Sequence, residues 1–437
     1  MELLTQVLDY SNVNKAYYHV TANKGSAGVD GISTKELSTY MQKNWNRIKQ
    51  EITDGTYKPQ SVLGVEIPKS NGGKRLLGIP TVIDRLIQQS IHQVLYPMYD
   101  IEFSNYSYGF RIGRNAHQAI AQAQNYINKG YQDIIDFDLK SFFDIVNHDY
   151  LMSLLHRKIK DRFLMKLIRR YLQSAILLDG LIQQREQGTP QGSPLSPLLS
   201  NIILNELDKE LERRGLRFVR YADDFSIFVK SKRASERVRI SISNFVENKL
   251  HLKINEDKSQ ICRPIQYFIL GYGFVPTYKK GEKGKYNLRV NPKSFKRLKQ
   301  KIKEITRKTL PTPFAERLIK LQQVTRGWIN YYRFANIVVK LRKLDAWVRN
   351  RLRYCIWKHW KKPNKRMRSF IRLGVPQGQA YAWSRSRMGG WAIAQSPIMV
   401  TTITIKRLQQ KGYVSFTTQL SKSRRVMPEA QLKLTFI

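Results

Sequence analysis

The sequence predicts an α+β fold in which a β-hairpin carries acidic residues and a basic, helical part follows. The first observation is the pentapeptide RYADD at 220–224, which lies between two apolar stretches. Apolar β-type runs on both sides of a short polar turn are typical of a hairpin with its acids at the tip. The second is an apolar run at 134–135 that leads into DFD at 136–138. The third is the amphipathic helical periodicity after residue 292.

Local signals justify the elements in chain order. The turn SNGG at 70–73 joins two strand-like runs, and apolar residues at Ile83, Ile87 and Ile91 share one helical face. The predicted elements are helices over 1–50 with a glycine-rich break at 23–31, a strand pair over 62–79, helices at 83–99 and 116–128, a strand at 134–139, helices from 148 to 175, a Gly/Pro-rich loop at 187–198, a helix at 197–214, the acidic hairpin, a helix at 233–250, strands near 252–255 and 266–276, helices at 295–305, 314–334 and 338–361, and short β-like runs at 399–405 and 413–418.

The composition indicates a folded protein that binds a polyanion. The chain has 437 residues, of which 42% are hydrophobic, and its length suggests two or three domains. From Pro276 onward there are 39 Lys and Arg against 5 Asp and Glu, a net charge of +34 out of the total of +43. Such an excess repels itself unless a polyanion covers it, so we expect the C-terminal part to bind nucleic acid.

Several classes of protein are disfavoured. No apolar run approaches the roughly 20 residues of a membrane-spanning helix, and the start MELL lacks the basic segment of a secretory signal. We therefore expect no membrane partner and a location in the cytoplasm or the nucleoid. The two cysteines, Cys262 and Cys355, are far apart and support neither a disulfide framework nor a zinc site.

The acidic clusters indicate a divalent metal. Asp223 and Asp224 repel each other at a turn, so the fold gains nothing from the pair unless a cation lies there. If the strand before Asp138 pairs with the hairpin, three carboxylates converge, which is the equipment for two-metal phosphoryl transfer. An Asp-Asp pair after a strand is more often a solvated turn, so further motifs have to decide between the two interpretations.

Those further motifs occur in a fixed order: IPK at 67–69 with Arg75, YGFR at 108–111, DFD at 136–138 followed by FFD at 142–144, GTPQGSPLSP at 188–197, YADD at 221–224 and LGYGF at 270–274. Together they resemble the reverse transcriptase–maturases encoded by bacterial group II introns, from the 23–31 loop to at least Trp360. The resemblance implies a right-hand polymerase whose fingers and antiparallel palm sheet are followed by an α-helical thumb or maturase domain. The implied domains are an N-terminal extension over 1–50, fingers and palm over 51–285, the thumb or maturase domain over 286–375, and a basic tail over 376–437 that is a reduced DNA-binding segment or an extended maturase surface.

The resemblance implies that Asp138, Asp223 and Asp224 are the catalytic carboxylates. With the main chain of Leu139 they would hold two Mg²⁺ ions, one for the primer 3′-hydroxyl and one for the dNTP and its leaving pyrophosphate. Asp138 is preferred to Asp136 because its spacing to the aromatic residue five positions later matches the family. Asp136 is expected to be a structural cap or ion-pair residue.

The resemblance also implies a nucleotide-binding set: Lys69, Arg75, Arg111, Phe143, Gln191 and Ala222. An aromatic wall at Phe143 would exclude the 2′-hydroxyl of a ribonucleotide, and cations on the N-terminal hairpin would neutralise triphosphate charge. Each residue also has a purely structural interpretation. Phe143 could be a core aromatic residue, Lys69 and Arg75 could be solvated surface cations, and Arg111 could form a structural ion pair.

Contacts to the primer and the template are implied further along the chain. Glycines in LGYGF allow close backbone approach, so the primer grip would comprise Leu270, Gly271 and Tyr272, with a simple β-bulge as the alternative. Template or intron RNA would be contacted by the loop residues Asn23, Lys24, Gly25 and Ser26, and by Arg297 and Lys301 on the first basic helix.

The expected activity is RNA-directed DNA synthesis on an RNA template with a DNA or RNA primer. The resemblance adds binding of the parent group II intron RNA, assistance in splicing, and insertion at a target DNA (retrohoming), by a monomer or weak dimer in bacterial cytoplasm. No Cys-x-x-Cys pair and no His-Asn-His-like cluster follow residue 361, so an HNH endonuclease domain is not expected. The alternatives are a reverse transcriptase of phage defence or CRISPR adaptation, and a splicing cofactor that only binds RNA. Gene context would distinguish the first alternative from an intron maturase. The presence of Asp138, Asp223 and Asp224 argues against the second, because RNA binding alone does not need these acids.

Overall fold

The computed structural model describes residues 2–68, 72–278 and 280–425 and divides into two compact units between Pro264 and Ile265. The predicted nucleotide contact Lys69 lies outside the described residues. Within the described ranges, no helix has both the length and the apolar character that crossing a bilayer requires.

The N-terminal unit is a mixture of helices and two sheets. Its helices are α1 (Leu3–Val7), α2 (Tyr10–Ala22), α3 (Leu37–Thr53), α4 (Val82–Asp100), α5 (Ala116–Asn128), α6 (Phe142–Ile145), α7 (His148–His156), α8 (Arg162–Leu172), α9 (Ser196–Arg213) and α10 (Lys232–Asn248). Its strands are β1 (Val62–Pro68), β2 (Lys74–Ile79), β3 (Asp133–Phe137), β4 (Ile176–Leu178), β5 (Leu181–Gln183), β6 (Arg217–Tyr221), β7 (Asp224–Val229) and β8 (Gln260–Cys262).

Side-chain caps begin several of the predicted helices. The Thr81 hydroxyl accepts a hydrogen bond from the Asp84 amide at the start of α4. At the start of α5, Asn115 and Gln118 form a reciprocal capping box. Each cap satisfies an amide that has no partner within its helix and contributes about 1 kcal/mol.

The central sheet has the order β6-β7-β3-β8 with antiparallel pairing throughout. Both faces of its inner strands are largely buried, because Ile134, Ile135 and Ile227 are inaccessible to solvent. The rings of Phe137 and Phe225 stack on neighbouring strands with centroids 4.7 Å apart. Burial of each such side chain stabilises the fold by about 1.5–3 kcal/mol, so the ends of β3 and β7 are held in a fixed register.

The second sheet has the order β2-β1-β4-β5. It is mixed, since β1 pairs antiparallel with β2 but parallel with β4. The β4–β5 hairpin turns at Asp179 and Gly180, which both have positive φ, as a type I′ turn requires. The predicted strand near 252–255 is reduced to a single bridge between Leu139 and Ile254.

The C-terminal unit begins with a three-stranded sheet and continues as helices. Its strands, in the order β11-β10-β9, are β9 (Phe268–Ile269), β10 (Tyr272–Pro276) and β11 (Tyr286–Val290). Its helices are α11 (Pro292–Ile305), α12 (Phe314–Tyr332), α13 (Val338–His359), α14 (Pro363–Arg372), α15 (Gln377–Ser384), α16 (Gly390–Gln395), α17 (Pro397–Thr402), α18 (Ile405–Gln410) and α19 (Phe416–Arg425).

The boundary expected near residue 285 is displaced to 264/265. Residue 285 lies in the connection between β10 and β11, which pair over five residue positions from Tyr272↔Val290 to Pro276↔Tyr286. The β-sheet also packs on α12, because the Tyr272 ring lies 5.2 Å from that of Tyr332 and the Asn336 amide donates to the Leu288 carbonyl. The described residues between β10 and β11 therefore belong to a hairpin connection.

The β-like runs expected at 399–405 and 413–418 are wrong, because helices α17, α18 and α19 occupy most of this region. The buried carboxylate of Asp345 on α13 accepts hydrogen bonds from the amides of Phe416 and Thr417 and from the hydroxyls of Thr417 and Tyr413. The first turn of α19 is thus capped by another helix, and this tertiary contact overrides the β propensity of the local sequence.

Candidate active site

The acidic residues of β3 and β7 meet at adjacent ends of these two strands. The antiparallel register pairs Asp136 with Ser226 and Phe137 with Phe225. Asp138 follows Phe137, and Asp224 precedes Phe225 on the antiparallel partner strand. The register therefore places these two acids opposite each other. The strand pairing expected from the sequence is confirmed.

The turn between β6 and β7 is tight and conformationally strained. Tyr221 pairs with Asp224, which leaves Ala222 and Asp223 as the two turn residues. Ala222 has φ 58°, in the left-handed region that non-glycine residues rarely adopt. Such conformations persist only where the surroundings enforce them.

The YGFR motif supplies part of this enforcement. Its backbone runs along β6, since Ser107 bridges to Arg220 and the Tyr108 amide donates to the Arg220 carbonyl at 2.9 Å. A Cβ on Gly109 would lie 2.2 Å from the Ala222 nitrogen. Only glycine therefore allows the motif to pack against the acidic turn.

A buried polar network anchors the same turn from below. Arg220 is fully buried, and its Nε and Nη2 donate to the two carboxylate oxygens of Asp208 at 2.8 and 2.5 Å. It also donates to Asn201 at 2.9 Å and to the Ala222 carbonyl at 3.1 Å. Asn201 in turn donates to the Gly109 carbonyl at 3.0 Å. Sequence reasoning missed this network, although a lone arginine within an apolar strand is a signal that a buried acid pairs with it.

The carboxylates destabilise one another's charged forms. Loss of hydration, with repulsion from Asp223 and Asp138, raises the pKa of Asp224 to about 6. Loss of hydration also raises the pKa of Asp223, with repulsion from Asp138, and the cation of Arg75 opposes this rise. The acids are thus close enough to interact, and Arg75 is close enough to act on one of them.

Asp136 makes a different contact from the cap or ion pair expected of it. Its carboxylate accepts a hydrogen bond from the Ser226 hydroxyl at 2.8 Å. Burial, with repulsion from Asp224 and Asp138, raises the pKa of Asp136 to about 7. This residue therefore extends the acidic cluster along the same face of the sheet, because residues two apart on a strand point to one side.

Asp138 is held by the segment that precedes β8, which sequence reasoning did not single out. Lys258 forms an ion pair with its carboxylate at 3.1 Å. The Ser259 hydroxyl accepts from its amide at 3.1 Å, and the Asn255 amide donates to its carbonyl at 2.8 Å. Leu139 is buried and joins the same segment through its bridge to Ile254.

The donor chemistry of this cluster suits Mg²⁺, which prefers oxygen ligands and keeps several waters. Among the residues that the structure describes, no group of three His, Cys, Asp or Glu side chains is arranged so that it could hold a metal ion. Any ion bound beside these acids would therefore need further ligands from the main chain, a substrate or water.

Phe143 lies at the start of α6 and is buried. Its carbonyl accepts from the Thr189 amide at 2.6 Å, while the Gly188 amide donates to the Val146 carbonyl at 2.7 Å. These bonds fasten the GTPQGSPLSP loop to the aromatic residue. Ser141, just before α6, has φ 49° and turns the chain sharply after β3.

Arg75 and Gln191 are brought together from distant parts of the chain. The Arg75 Nε donates to the Gln191 Oε1, and the Gly78 amide donates to the Gln191 carbonyl at 2.7 Å. The contact joins the N-terminal hairpin to the loop at 188–197. Two residues expected at one nucleotide site are therefore neighbours.

Arg111 does not have the freedom that a nucleotide contact needs. It is buried, forms an ion pair with Asp100 at 2.7 Å, and donates to the carbonyls of Ser104 and Ser107. Its guanidinium also lies 5.4 Å from the Phe103 ring. The structural ion pair, which was the alternative interpretation, is the arrangement observed, and it holds the YGFR turn.

The predicted template loop is exposed but anchored. Asn23, Lys24 and Ser26 are exposed, and Lys24 has φ 48°. Arg85 on α4 donates to the Ser26 carbonyl, and a Cβ on Gly25 would meet the same guanidinium at 2.5 Å. The loop is therefore fixed to the N-terminal unit with its side chains outward.

The predicted primer grip lies in the C-terminal unit and is a tight hairpin turn, not a bulge. Leu270 and Gly271 connect β9 to β10 with φ 49° and 80°. The Leu270 carbonyl accepts from the Tyr331 hydroxyl at 2.7 Å, and a Cβ on Gly271 would lie 2.5 Å from the Tyr332 hydroxyl. Tyr272 is fully buried and donates to the Tyr331 carbonyl, so its role in the described contacts is structural.

The predicted RNA contacts Arg297 and Lys301 are exposed on α11. Leu298, Ile302 and Ile305 form the opposite, buried face of the same helix. The helix thus packs through its apolar stripe and presents basic side chains to solvent, as the periodicity predicted.

The mixture of helices and antiparallel sheets, with acidic residues at the adjoining ends of two paired strands, defines a fold of the reverse transcriptase type. Comparison with known proteins agrees: the family described as "Reverse transcriptase (RNA-dependent DNA polymerase)" matches residues 67–274, and "Group II intron, maturase-specific domain" matches residues 295–373. The chain belongs to the group II intron reverse transcriptase–maturase family.

The matches to individual relatives span different shares of each relative's length. "Protein YkfC" of Escherichia coli (strain K12) is 32% identical over 287 residues, which are 57% of this chain and 75% of that protein. "Group II intron-encoded protein LtrA" of Lactococcus lactis subsp. cremoris is 29% identical over 316 residues, 57% of this chain and 52% of that protein. The chain thus spans about half the length of the lactococcal relative. A solved chain of a "Partial Cas6-RT-Cas1--Cas2 complex" matches at 28% identity and TM-score 0.38 over 56% of this chain and 43% of that chain.

Proposed function

We propose that this protein is an RNA-directed DNA polymerase that extends a primer on an RNA template, with Asp138, Asp223 and Asp224 as its catalytic carboxylates. The observation that carries the proposal is the register of β3 and β7, which sets Asp138 beside the strained acidic turn. Mutual repulsion of desolvated acids is costly in a fold that gains nothing else from them. A requirement to bind cations and a triphosphate accounts for that cost.

Asp138, Asp223 and the main chain of Leu139 would hold the two Mg²⁺ ions, with Asp224 less directly involved. Bound there, the ions would lower the pKa of the primer 3′-hydroxyl and stabilise the leaving pyrophosphate. The Lys258 ammonium group forms an ion pair with the Asp138 carboxylate at 3.1 Å, so it is a second positive charge next to this acid.

The remaining residues would orient the dNTP. Arg75, fixed by Gln191, would neutralise triphosphate charge together with Lys69. Phe143, held by the loop at 188–197, would form the floor under the deoxyribose and exclude a 2′-hydroxyl, and the backbone at Ala222 would border the nucleotide. We do not propose a nucleotide contact for Arg111, whose donors are engaged within the protein.

The basic C-terminal unit would bind the parent intron RNA, assist its splicing and support its return to a target DNA. The maturase-domain match over 295–373 and the exposed cations of α11 support this part of the proposal. The turn at Leu270 and Gly271 would contact the primer through its backbone. The protein would act in the bacterial cytoplasm as a monomer or weak dimer.

Primer extension on an unrelated RNA template, with dNTPs and Mg²⁺, tests the polymerase assignment. Asp223→Asn combined with Asp224→Asn keeps the side-chain shapes, removes the charges, and should abolish extension while RNA affinity stays nearly unchanged. The matched control is Glu256→Gln, because this acid is 79% exposed and only loosely paired with Arg239 at 3.9 Å. Wild-type extension by the double variant would show that the site assignment is wrong.

A further inference from the structure

A cavity of about 540 Å³ lies between α11 and α13 of the C-terminal unit, near the end of β11. Its volume is within the roughly 300–1,000 Å³ of small-ligand sites. The lining combines four lysines, two aromatic rings and three aliphatic residues. None of the roles assigned above uses this cavity.

The lysines come from both helices. Lys296 and Lys299 belong to α11, whereas Lys340 and Lys343 belong to α13, and all four are exposed. No acidic residue is among the described residues that line the cavity. Four ammonium groups around one concave space repel one another, so the site is complementary to a ligand that carries phosphate groups.

The two aromatic side chains are less exposed than the four lysines. Phe295 and Trp347 are half-buried and belong to different helices. The Lys299 Nζ lies 5.7 Å from the centre of the Phe295 ring and 5.8 Å from that of the Trp347 ring. One ammonium group thus interacts with two π-faces at once, and a planar group that entered the cavity could displace it and stack on either ring.

These features favour one unpaired nucleotide over other anions. A nucleobase has a flat face for the rings and neighbouring phosphates for the lysines, and base–aromatic stacking of this kind tolerates any base. An acidic peptide would satisfy the lysines but would leave the rings without a flat partner. Paired bases are stacked within a helix and cannot reach recessed rings, so a duplex would contact only the lysines.

We propose that this cavity captures a single unpaired nucleotide of a bound RNA, with its base against Trp347 and Phe295 and its flanking phosphates on the four lysines. The inference rests on the RNA binding proposed above and specifies which feature of the RNA the C-terminal unit reads. It assigns a shape preference, for a bulge or an unpaired loop nucleotide, that is independent of base identity.

The first test needs no mutation. Three short RNA hairpins are titrated into the full chain by fluorescence anisotropy: one with a single bulged nucleotide, one with an abasic bulge and one fully paired. The bulged RNA should bind about 5- to 100-fold more tightly than the abasic RNA, from the usual stacking contribution of one base. Equal affinities for the bulged and abasic RNAs would overturn the proposal.

Variants then locate the effect. Trp347→Leu should abolish the preference for the bulge, whereas Trp391→Leu, a change of another partly exposed tryptophan of the same unit, should leave it intact. Lys340→Gln with Lys343→Gln should weaken all three RNAs and reduce the slope of log K against log salt by about 0.7 for each lysine lost. A bulge preference that survives Trp347→Leu would place the stacking site elsewhere.

Two further outcomes keep the conclusions separate. A polyglutamate peptide that competes as well as the bulged RNA would assign the cavity to acidic peptides and overturn the nucleotide proposal. Primer extension is measured on the same samples. If the wild-type protein prefers the bulged RNA but does not extend primers, the polymerase proposal is contradicted and the cavity proposal is not. Normal extension without any bulge preference would contradict the cavity proposal alone.

Discussion

At the residue scale, Arg220 connects the buried core to the acidic turn. Its guanidinium satisfies Asp208, Asn201 and the Ala222 carbonyl at once. Ala222 needs such an anchor, because its left-handed backbone conformation is unfavourable by itself. Arg220 therefore positions the turn without touching substrate.

We expect Arg220→Met to lower the free energy of unfolding by about 3–5 kcal/mol, because Asp208 would be left buried and unpaired. The double variant Arg220→Met, Asp208→Leu should recover much of this loss, since no isolated charge remains. It should still extend primers slowly, because the Ala222 carbonyl has lost its donor. Urea denaturation and primer extension measure the two effects, and a double variant with normal turnover would refute the positioning role.

Asp224 gives a prediction about pH. Its pKa is raised to about 6 in the folded protein, so the native state loses stability as the pH rises from about 4 through 6. Asp224→Asn has no charge to desolvate and should be more stable than the wild type without metal. The gain should be absent near pH 4, grow up to about pH 6 and remain constant above it. We expect about 1 kcal/mol at most, because the Asp224 side chain keeps part of its contact with solvent, which reduces both the loss of hydration and the repulsion.

Urea denaturation of metal-free protein across this pH range checks the prediction. A neutral substitution of a surface acid, Glu256→Gln, serves as the control for the loss of one negative charge. If Asp224→Asn were less stable than the wild type at pH 7, loss of hydration and repulsion by Asp223 and Asp138 would not dominate the energetics of this residue.

At the element scale, the YGFR segment and the β6–β7 hairpin depend on each other's shape. Gly109→Ala would place a methyl group 2.2 Å from the Ala222 nitrogen, so the turn or the segment has to move. We expect a loss of about 1–3 kcal/mol of stability, as for other overpacked sites, and a larger loss of primer extension. Gly327→Ala is the control, because its Cβ would meet nothing within 4 Å in α12 and a helix favours alanine. Normal extension by Gly109→Ala would mean that the turn tolerates displacement.

Long, periodic elements could be predicted from the sequence, and short ones could not. Helix α5 begins and ends at the predicted residues, and the helix containing Ile83 and Ile91 was placed within one residue at each end. The β4–β5 hairpin was missed because three-residue strands show too little periodicity, although the dipeptide Asp179-Gly180 is itself a hairpin signal. The runs at 399–405 and 413–418 were misassigned because contacts with α13, which the local sequence does not reveal, support the helical structure there.

The candidate site could be predicted in its charged residues but not in its supports. Asp138 and the acidic pair were singled out because they follow or interrupt apolar runs and because the ordered motifs around them resemble a known family. The contacts of Asp138 with Lys258 and Ser259 were not, because each pair is separated by about 120 residues and only the folded chain joins them. Arg111 was predicted to contact the nucleotide, whereas in the structure it forms a buried ion pair with Asp100. A sequence motif by itself does not distinguish these two roles.

At the scale of the whole molecule, the division at 264/265 gives different fragments from a division at 285. A fragment of 265–437 keeps the β9–β10–β11 sheet, whereas 286–437 lacks the fully buried Tyr272 and Phe274. We expect the longer fragment to unfold cooperatively in urea and the shorter one to unfold broadly or aggregate. Circular dichroism during the titration distinguishes them. Equal cooperativity of the two fragments would favour the boundary near 285.

The contacts of Asp345 with residues 413–417 have a consequence for mutations that truncate the protein. The Asp345 carboxylate is almost inaccessible to solvent, and donors from residues 413–417 satisfy it. A frameshift or stop codon upstream of 413 would remove these donors together with the buried side chains of Phe416 and Leu420, and would expose the faces of α12 and α13 on which α19 packs. Copies with such lesions should therefore encode a destabilised C-terminal unit, because newly exposed apolar surface lowers the stability of the helices that remain.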